Sequence, residues 1–132
     1  MEQQYRRANT SASLVNYHFV WAPRYRRKIL VGEVDRRFRE ILGEVAKELE
    51  VAILAVEVMP DHVHLFVNAP PDLSPSDIIA RIKGRTSHHM RLEFPVIKRM
   101  PSMWTRSYFV STAGNVSSET IERYIAMQKK RG

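Results

Sequence analysis

Apolar positions alternate or cluster along the chain in a way that marks its elements. Residues 13–23, "SLVNYHFVWAP", are rich in aromatic and β-branched side chains and stop at Pro23, which predicts a strand. From 34 to 49 the period changes. Val34, Phe38, Ile41, Leu42, Val45 and Leu49 fall at helical spacing and predict an amphipathic helix. "VAILAVEVM" (51–59) predicts a buried strand and "HVHLFVN" (62–68) a second one. Only Pro60 and Asp61 separate them, so the two are expected to form a hairpin. After the "PPDLS" loop, Ser74 is placed to cap a helix with Pro75 at its first position and Asp77 in its first turn. Ile78, Ile79, Ile82, His89 and Met90 share one face of that helix. Residues 95–106 show no period, 107–112 ("SYFVST") predict a fourth strand, and Ser117 or Ser118 opens a last helix to about 130.

The order β-α-β-β-α-β-α predicts an α+β fold. Its first six elements suit a ferredoxin-like (RRM-like) βαββαβ antiparallel sheet, followed by an extra C-terminal helix. Both internal helices should cover one face of the sheet and leave the other open. At 132 residues the chain is expected to be a single domain, 1–132, with a loose leader over 1–12 and the last helix over 117–130.

The alternation within "MPDHVHLFV" (59–67) raises a chemical question. Side chains at i and i+2 of a strand share a face. His62, His64 and Phe66 therefore point one way, and Val63, Leu65 and Val67 point into the helix-packed core. Two imidazoles side by side suit two nitrogens converging on one metal ion. Two surface histidines on a half-buried strand would give the same pattern. With no cysteine in the chain, thiolate ligands and disulfides are excluded. The last helix offers a tyrosine and a glutamine, Tyr124 and Gln128, at i and i+4 on the stripe of Ile121 and Ile125. They read either as a core tyrosine with a helix-end glutamine, or as groups delivered to the histidine face. Asp61, just before the histidines, reads either as a catalytic group or, more simply, as a residue of turn chemistry.

Charge narrows the partners. The net charge is +7, which points to a polyanion, most often nucleic acid. The basic residues are not gathered in a tail. "RYRRK" (24–28), "RIKGR" (81–85) and "QKKR" (128–131) are spread along the chain, as patches on a folded surface would be. Arg24, Arg26, Arg27 and Lys28 after the first strand, and Lys83, Arg85 and Arg91 on the second helix, are the candidate phosphate contacts. Tyr25 or Trp104 could stack on a base. No apolar run approaches the length of a membrane span, and the polar N-terminus lacks a signal-peptide core, so no membrane partner and a cytoplasmic location are expected.

Together these motifs are recognisable. "HVH" is a His-hydrophobe-His (HUH) motif, and "YIAMQ" places a tyrosine four residues before a glutamine. With "YHFVWAPRYRRKIL", "EVMPDHVHLFV", "IKG" and "SYFVSTAGNVSSETIERYIAMQ", the chain resembles the small single-tyrosine HUH transposases of bacterial and archaeal insertion sequences, including their REP-associated relatives. That resemblance implies His62, His64 and Gln128 as ligands of Mg²⁺ or Mn²⁺ and Tyr124 as nucleophile. It implies cleavage and rejoining of single-stranded DNA with hairpin ends through a 5′-phosphotyrosine. It also implies a homodimer in which the last helix is exchanged between subunits, with "TAGNVSS" as connector. Two other readings stand beside it. One is a domesticated repeat-processing or replication-initiator-type nuclease of the same chemistry. The other is a ferredoxin-like nucleic-acid-binding module without catalysis, although such modules present aromatic platforms on the open face rather than histidines.

Overall fold

A computed structural model describes residues 14–112. The leader over 1–12 and the helix expected over 117–130, with Tyr124 and Gln128, lie outside the described residues. Strand β1 (Val15–Trp21) leads through a 3₁₀ turn at Arg24–Arg26 to helix α1 (Gly32–Glu48). Strands β2 (Ala52–Met59) and β3 (His62–Ala69) follow, then α2 (Pro75–Glu93), a one-turn helix α3 (Pro95–Lys98) and β4 (Phe109–Thr112). The four strands form one sheet in the order β2-β3-β1-β4, and every neighbouring pair is antiparallel.

Local chemistry explains the boundaries. Ser74 Oγ accepts the backbone N–H of Asp77 at 3.1 Å, with Pro75 in the first turn, so α2 starts where its capping residues place it. Helix α1 closes in a Schellman arrangement: Val51 N–H donates to Ala46 O at 2.9 Å and Glu50 N–H to Lys47 O at 3.1 Å. Glu50 adopts the left-handed φ of 58° that this closure requires. Pro60 and Asp61 make the β2–β3 turn, and Met59 pairs with His62. Strand β4 begins two residues later than the apolar pattern suggests, and a helical turn at Pro95 interrupts the segment expected to be irregular.

Helices α1 and α2 cover one face. Phe19 and Trp21 of β1 and Val63, Leu65 and Val67 of β3 are buried there against Phe38, Ile41, Leu42 and Val45 of α1 and Ile78, Ile79 and Ile82 of α2. The α2 stripe continues through Thr86 and Met90, both fully buried, whereas His89 is only partly covered. A helical stripe advances by three or four residues, and Thr86 lies on that row between Ile82 and Met90.

Segment 101–106 is pinned to the end of β1. Arg24 N–H donates to Met103 O at 2.9 Å and Thr105 N–H to Ala22 O at 3.0 Å. Trp104 is driven into the core, edge-on to Phe38 at 5.6 Å and to Trp21 at 5.8 Å between ring centroids. Its indole Nε1–H donates to Thr86 Oγ1 at 3.0 Å, and the Thr86 hydroxyl donates to Ile82 O at 2.6 Å. Trp104 is therefore a core residue with a satisfied polar handle, and of the two aromatics considered for base stacking only Tyr25 is exposed.

Candidate metal and DNA site

The strand alternation places His62 and His64 on the sheet face opposite the helices, as their spacing predicts. Their ring centroids are 5.1 Å apart and the planes lie at 77°. This face is not open along its centre: His18, His64 and Phe66 are 6%, 6% and 4% exposed. Part of the reason is local. His18 of β1 pairs with Phe66 of β3, and the two rings lie flat on each other, 4.1 Å apart and 4° from parallel. A β-bulge in β2 between Ile53 and Ala55 also turns both Leu54 and Ala55 against Phe66.

Each histidine of the pair has its Nδ1 engaged. His62 Nδ1 lies 2.8 Å from Asp61 Oδ1, and Asp61 Oδ2 accepts from Arg26 Nη2 at 2.9 Å. His64 Nδ1 lies 3.1 Å from His18 Nε2, one ring N–H donating to the other ring's lone pair. Electrostatics keeps the buried rings neutral. Burial first, then the neighbouring His64, pushes the His18 pKa down to about 4. Burial first, then His62, also lowers that of His64, against an opposing pull from Glu57 across the β2–β3 pair. Neutral imidazole is the form that ligates a metal. The hydrogen bond from His62, followed by the charge of Arg26, holds the Asp61 carboxyl below the usual carboxylate range.

Two ligands do not make a centre. Among the described residues no group of three or more His, Asp or Glu is arranged to hold a metal ion. Gln128, the third ligand implied by the resemblance, lies outside them, as does Tyr124. The donor set present nonetheless fits a divalent ion: two imidazoles at i and i+2 on one strand face, with their Nδ1 atoms already engaged. His18 is the site residue that motif reading missed, and Asp61, assigned from the sequence to the turn, also contacts the site. For His18 a signal existed, because Asn16, His18 and Val20 share one face of β1. What placed His18 beside His64 was the β1–β3 register, a pairing of residues 46 apart in sequence.

The basic candidates divide into two groups. Arg27 and Lys28 are exposed after β1. The others have partners within the chain. Arg24 Nη1 donates to Ser102 Oγ at 3.1 Å, and its guanidinium lies 5.1 Å from the Tyr25 ring centroid. Arg26 is paired with Asp61, and Arg85 Nη1 meets Glu48 Oε1 at 2.5 Å. Arg91 Nη1 donates to Met100 O at 2.8 Å. Lys83 Nζ donates to Thr105 O at 2.7 Å and, at 3.3–3.4 Å, to Ser107 O and Arg106 O. Arg24, Lys83, Ser87 and Arg106 line a groove of about 520 Å³ along α2. Among the described residues no helix is long and apolar enough to cross a membrane.

A four-stranded antiparallel sheet with two helices on one face and paired histidines on the other defines an α+β protein of the kind the motifs anticipated. The family model "Transposase IS200 like" matches residues 11–128, and the chain belongs to that family of transposases. It is 32% identical over 117 residues to the ISDra2 transposase TnpA of Deinococcus radiodurans, covering 86% of this chain and 84% of that protein. The transposase for insertion sequence element IS200 of Salmonella typhimurium is 35% identical over 115 residues, covering 85% of this chain and 75% of the relative. A crystal structure from Deinococcus radiodurans R1 superposes with a TM-score of 0.74 at 33% identity, over 90% of this chain and 94% of that one. The structure of a REP-associated tyrosine transposase bound to a REP hairpin superposes with a TM-score of 0.65 at 18% identity, over 86% of this chain and 64% of the other, a likeness of fold.

Proposed function

We propose that this chain is a metal-dependent HUH transposase that cleaves and rejoins single-stranded DNA at insertion-sequence ends. In this reading Tyr124 is the nucleophile and the strand order is that of a ferredoxin-like sheet. The observation that carries it is the pair His62 and His64, neighbours on one sheet face with each Nδ1 engaged, in a chain of the transposase family. His62, His64 and Gln128 hold Mg²⁺ or Mn²⁺. When bound, the ion supplies Lewis-acid stabilisation of the charge that develops on the scissile phosphate.

The chain's own groups do the rest. The Tyr124 oxygen attacks phosphorus in line, a Tyr–O–P bond forms, and the P–O3′ bond breaks. The DNA 3′-oxygen leaves and takes up a proton, and the 5′-phosphate stays on the tyrosine. In the return step a second DNA 3′-hydroxyl attacks that phosphate, the Tyr–O–P bond breaks, and Tyr124 regains its proton. One phosphodiester is exchanged for another, so no nucleotide triphosphate is consumed. Arg27 and Lys28, with the groove of Arg24 and Arg106, supply positive charge for the DNA backbone. Single strands with hairpin ends are the substrate, and the functional unit is a homodimer that exchanges the last helix.

The test is a denaturing gel. Hairpin-bearing single-stranded DNA from the flanking genome should become covalently attached to the wild type with Mg²⁺ or Mn²⁺. Tyr124→Phe should bind DNA without forming the adduct. His64→Ala should lose cleavage while hairpin affinity stays within about three-fold, because phosphate contacts dominate binding. Undiminished cleavage in excess EDTA would exclude the metal, and an adduct on Tyr124→Phe would exclude the nucleophile.

A further inference from the structure

Arg26 is held in an unusual way. Tyr25 and Arg26 follow each other at φ 60° and 52°, both in the left-handed region. For residues with a Cβ this costs on the order of 1–2 kcal/mol each. The turn brings Arg26 into an ion pair with Asp61, in which the arginine side chain is 64% exposed. Surface pairs of that kind contribute about 0–1 kcal/mol. Stability alone therefore does not account for the strain. The same segment is tied to the β2–β3 turn by Leu30 N–H donating to Pro60 O at 3.0 Å. Arg26 is thus fixed over the residue that precedes the first histidine.

What the ion pair does achieve is orientation. Asp61 uses Oδ2 for Arg26 and Oδ1 for His62 Nδ1. With one oxygen held by each partner, the carboxylate plane is not free to turn. A carboxylate only accepts, so His62 Nδ1 must carry the hydrogen, and the lone pair of the neutral ring is then on Nε2. A hydrogen bond to one ring nitrogen is the usual means of selecting the other as the ligand. We propose that Asp61, clamped by the strained Arg26 turn, is the positioning residue that fixes His62 in its Nε2-ligating tautomer and orientation. This inference rests on the metal reading above and assigns to Asp61 a role beyond shaping the turn.

Two measurements separate the inference from its premise. The first needs no metal. Long-range ¹H–¹⁵N spectra of the imidazoles at mildly alkaline pH should show His62 protonated on Nδ1 in the wild type, and a mixture of tautomers in Asp61→Ala. Asp61→Asn, whose amide oxygen still accepts, should retain the Nδ1–H form. Arg26→Ala should weaken the preference without abolishing it. The second is Mn²⁺ affinity, read from the free-ion signal in electron paramagnetic resonance. Asp61→Ala should bind about 10–100-fold more weakly, the usual effect of removing a group that orients a ligand. Asp61→Asn should recover most of that loss, with melting curves showing all variants folded. An unchanged His62 tautomer in Asp61→Ala would overturn the proposal, as would wild-type Mn²⁺ affinity in that variant. Failure of the wild type itself to bind Mn²⁺ would count against the metal reading, and the tautomer measurement would still decide the role of Asp61.

Discussion

Lys83→Met separates a strut from a phosphate ligand. The lysine projects from α2 to the three carbonyls of Thr105, Arg106 and Ser107, the segment that turns the chain into β4. One of these bonds, at 2.7 Å to Thr105 O, is short and charge-assisted, and bonds of that type contribute about 1.5–3 kcal/mol. The two longer ones add little. The ammonium also lies 5.8 Å from the Tyr108 ring centroid, worth about 0.5 kcal/mol at a partly exposed site. Against this stands the cost of partial burial, which lowers the lysine pKa. Methionine keeps most of the apolar stem. The expected loss is therefore about 1–2 kcal/mol, read as a lower urea midpoint at unchanged slope. Binding to hairpin-bearing single strands should keep its salt dependence. Lys28→Ala, at an exposed position, should behave in the opposite way. Its stability should stay within about 0.5 kcal/mol, and its salt slope should shrink by about 0.7 for the phosphate no longer neutralised. A Lys83→Met protein of wild-type stability with a reduced salt slope would refute the strut assignment and make Lys83 a DNA contact.

Other outcomes follow from the same packing. Thr86→Val leaves the buried Trp104 Nε1–H without its acceptor and should cost about 1–3 kcal/mol in urea unfolding, with Thr86→Ser far milder. In metal-free buffer, His18 makes the fold acid-sensitive. Its pKa is lowered from 6.5 to about 4 in the folded state, so its contribution is complete above pH 6.5 and is lost as pH falls through about 4. His18→Phe should flatten the stability curve in that window, leaving the response of His64, whose pKa burial also lowers, beside it. If the last helix crosses between subunits, co-refolded His64→Ala and Tyr124→Phe chains should regain cleavage at up to about half of the sites in each heterodimer. The adduct should then sit on the His64→Ala chain, and proven heterodimers without rescue would mean that each subunit uses its own helix.

Short-range patterning in the sequence determined much of this molecule. The strand period alone put Val63 and Leu65 in the core and His62 and His64 on the opposite face, because a pleated backbone alternates its side chains. Ser74, Pro75 and Asp77 announced the start of α2 because capping is an interaction between residues three apart. The HVH motif and the tyrosine–glutamine spacing were enough to indicate the transposase family. Tertiary structure decided which distant residues meet. The β1–β3 register set His18 against His64 and Phe66, and the left-handed turn at Tyr25 and Arg26 brought a guanidinium onto Asp61. The same packing drew Trp104 into the core and Lys83 onto backbone carbonyls, away from the roles their residue types suggested. Local periodicity fixes the face on which a side chain stands. Its neighbour from another strand or turn depends on how the whole sheet and its helices pack, and that arrangement has no period in the sequence.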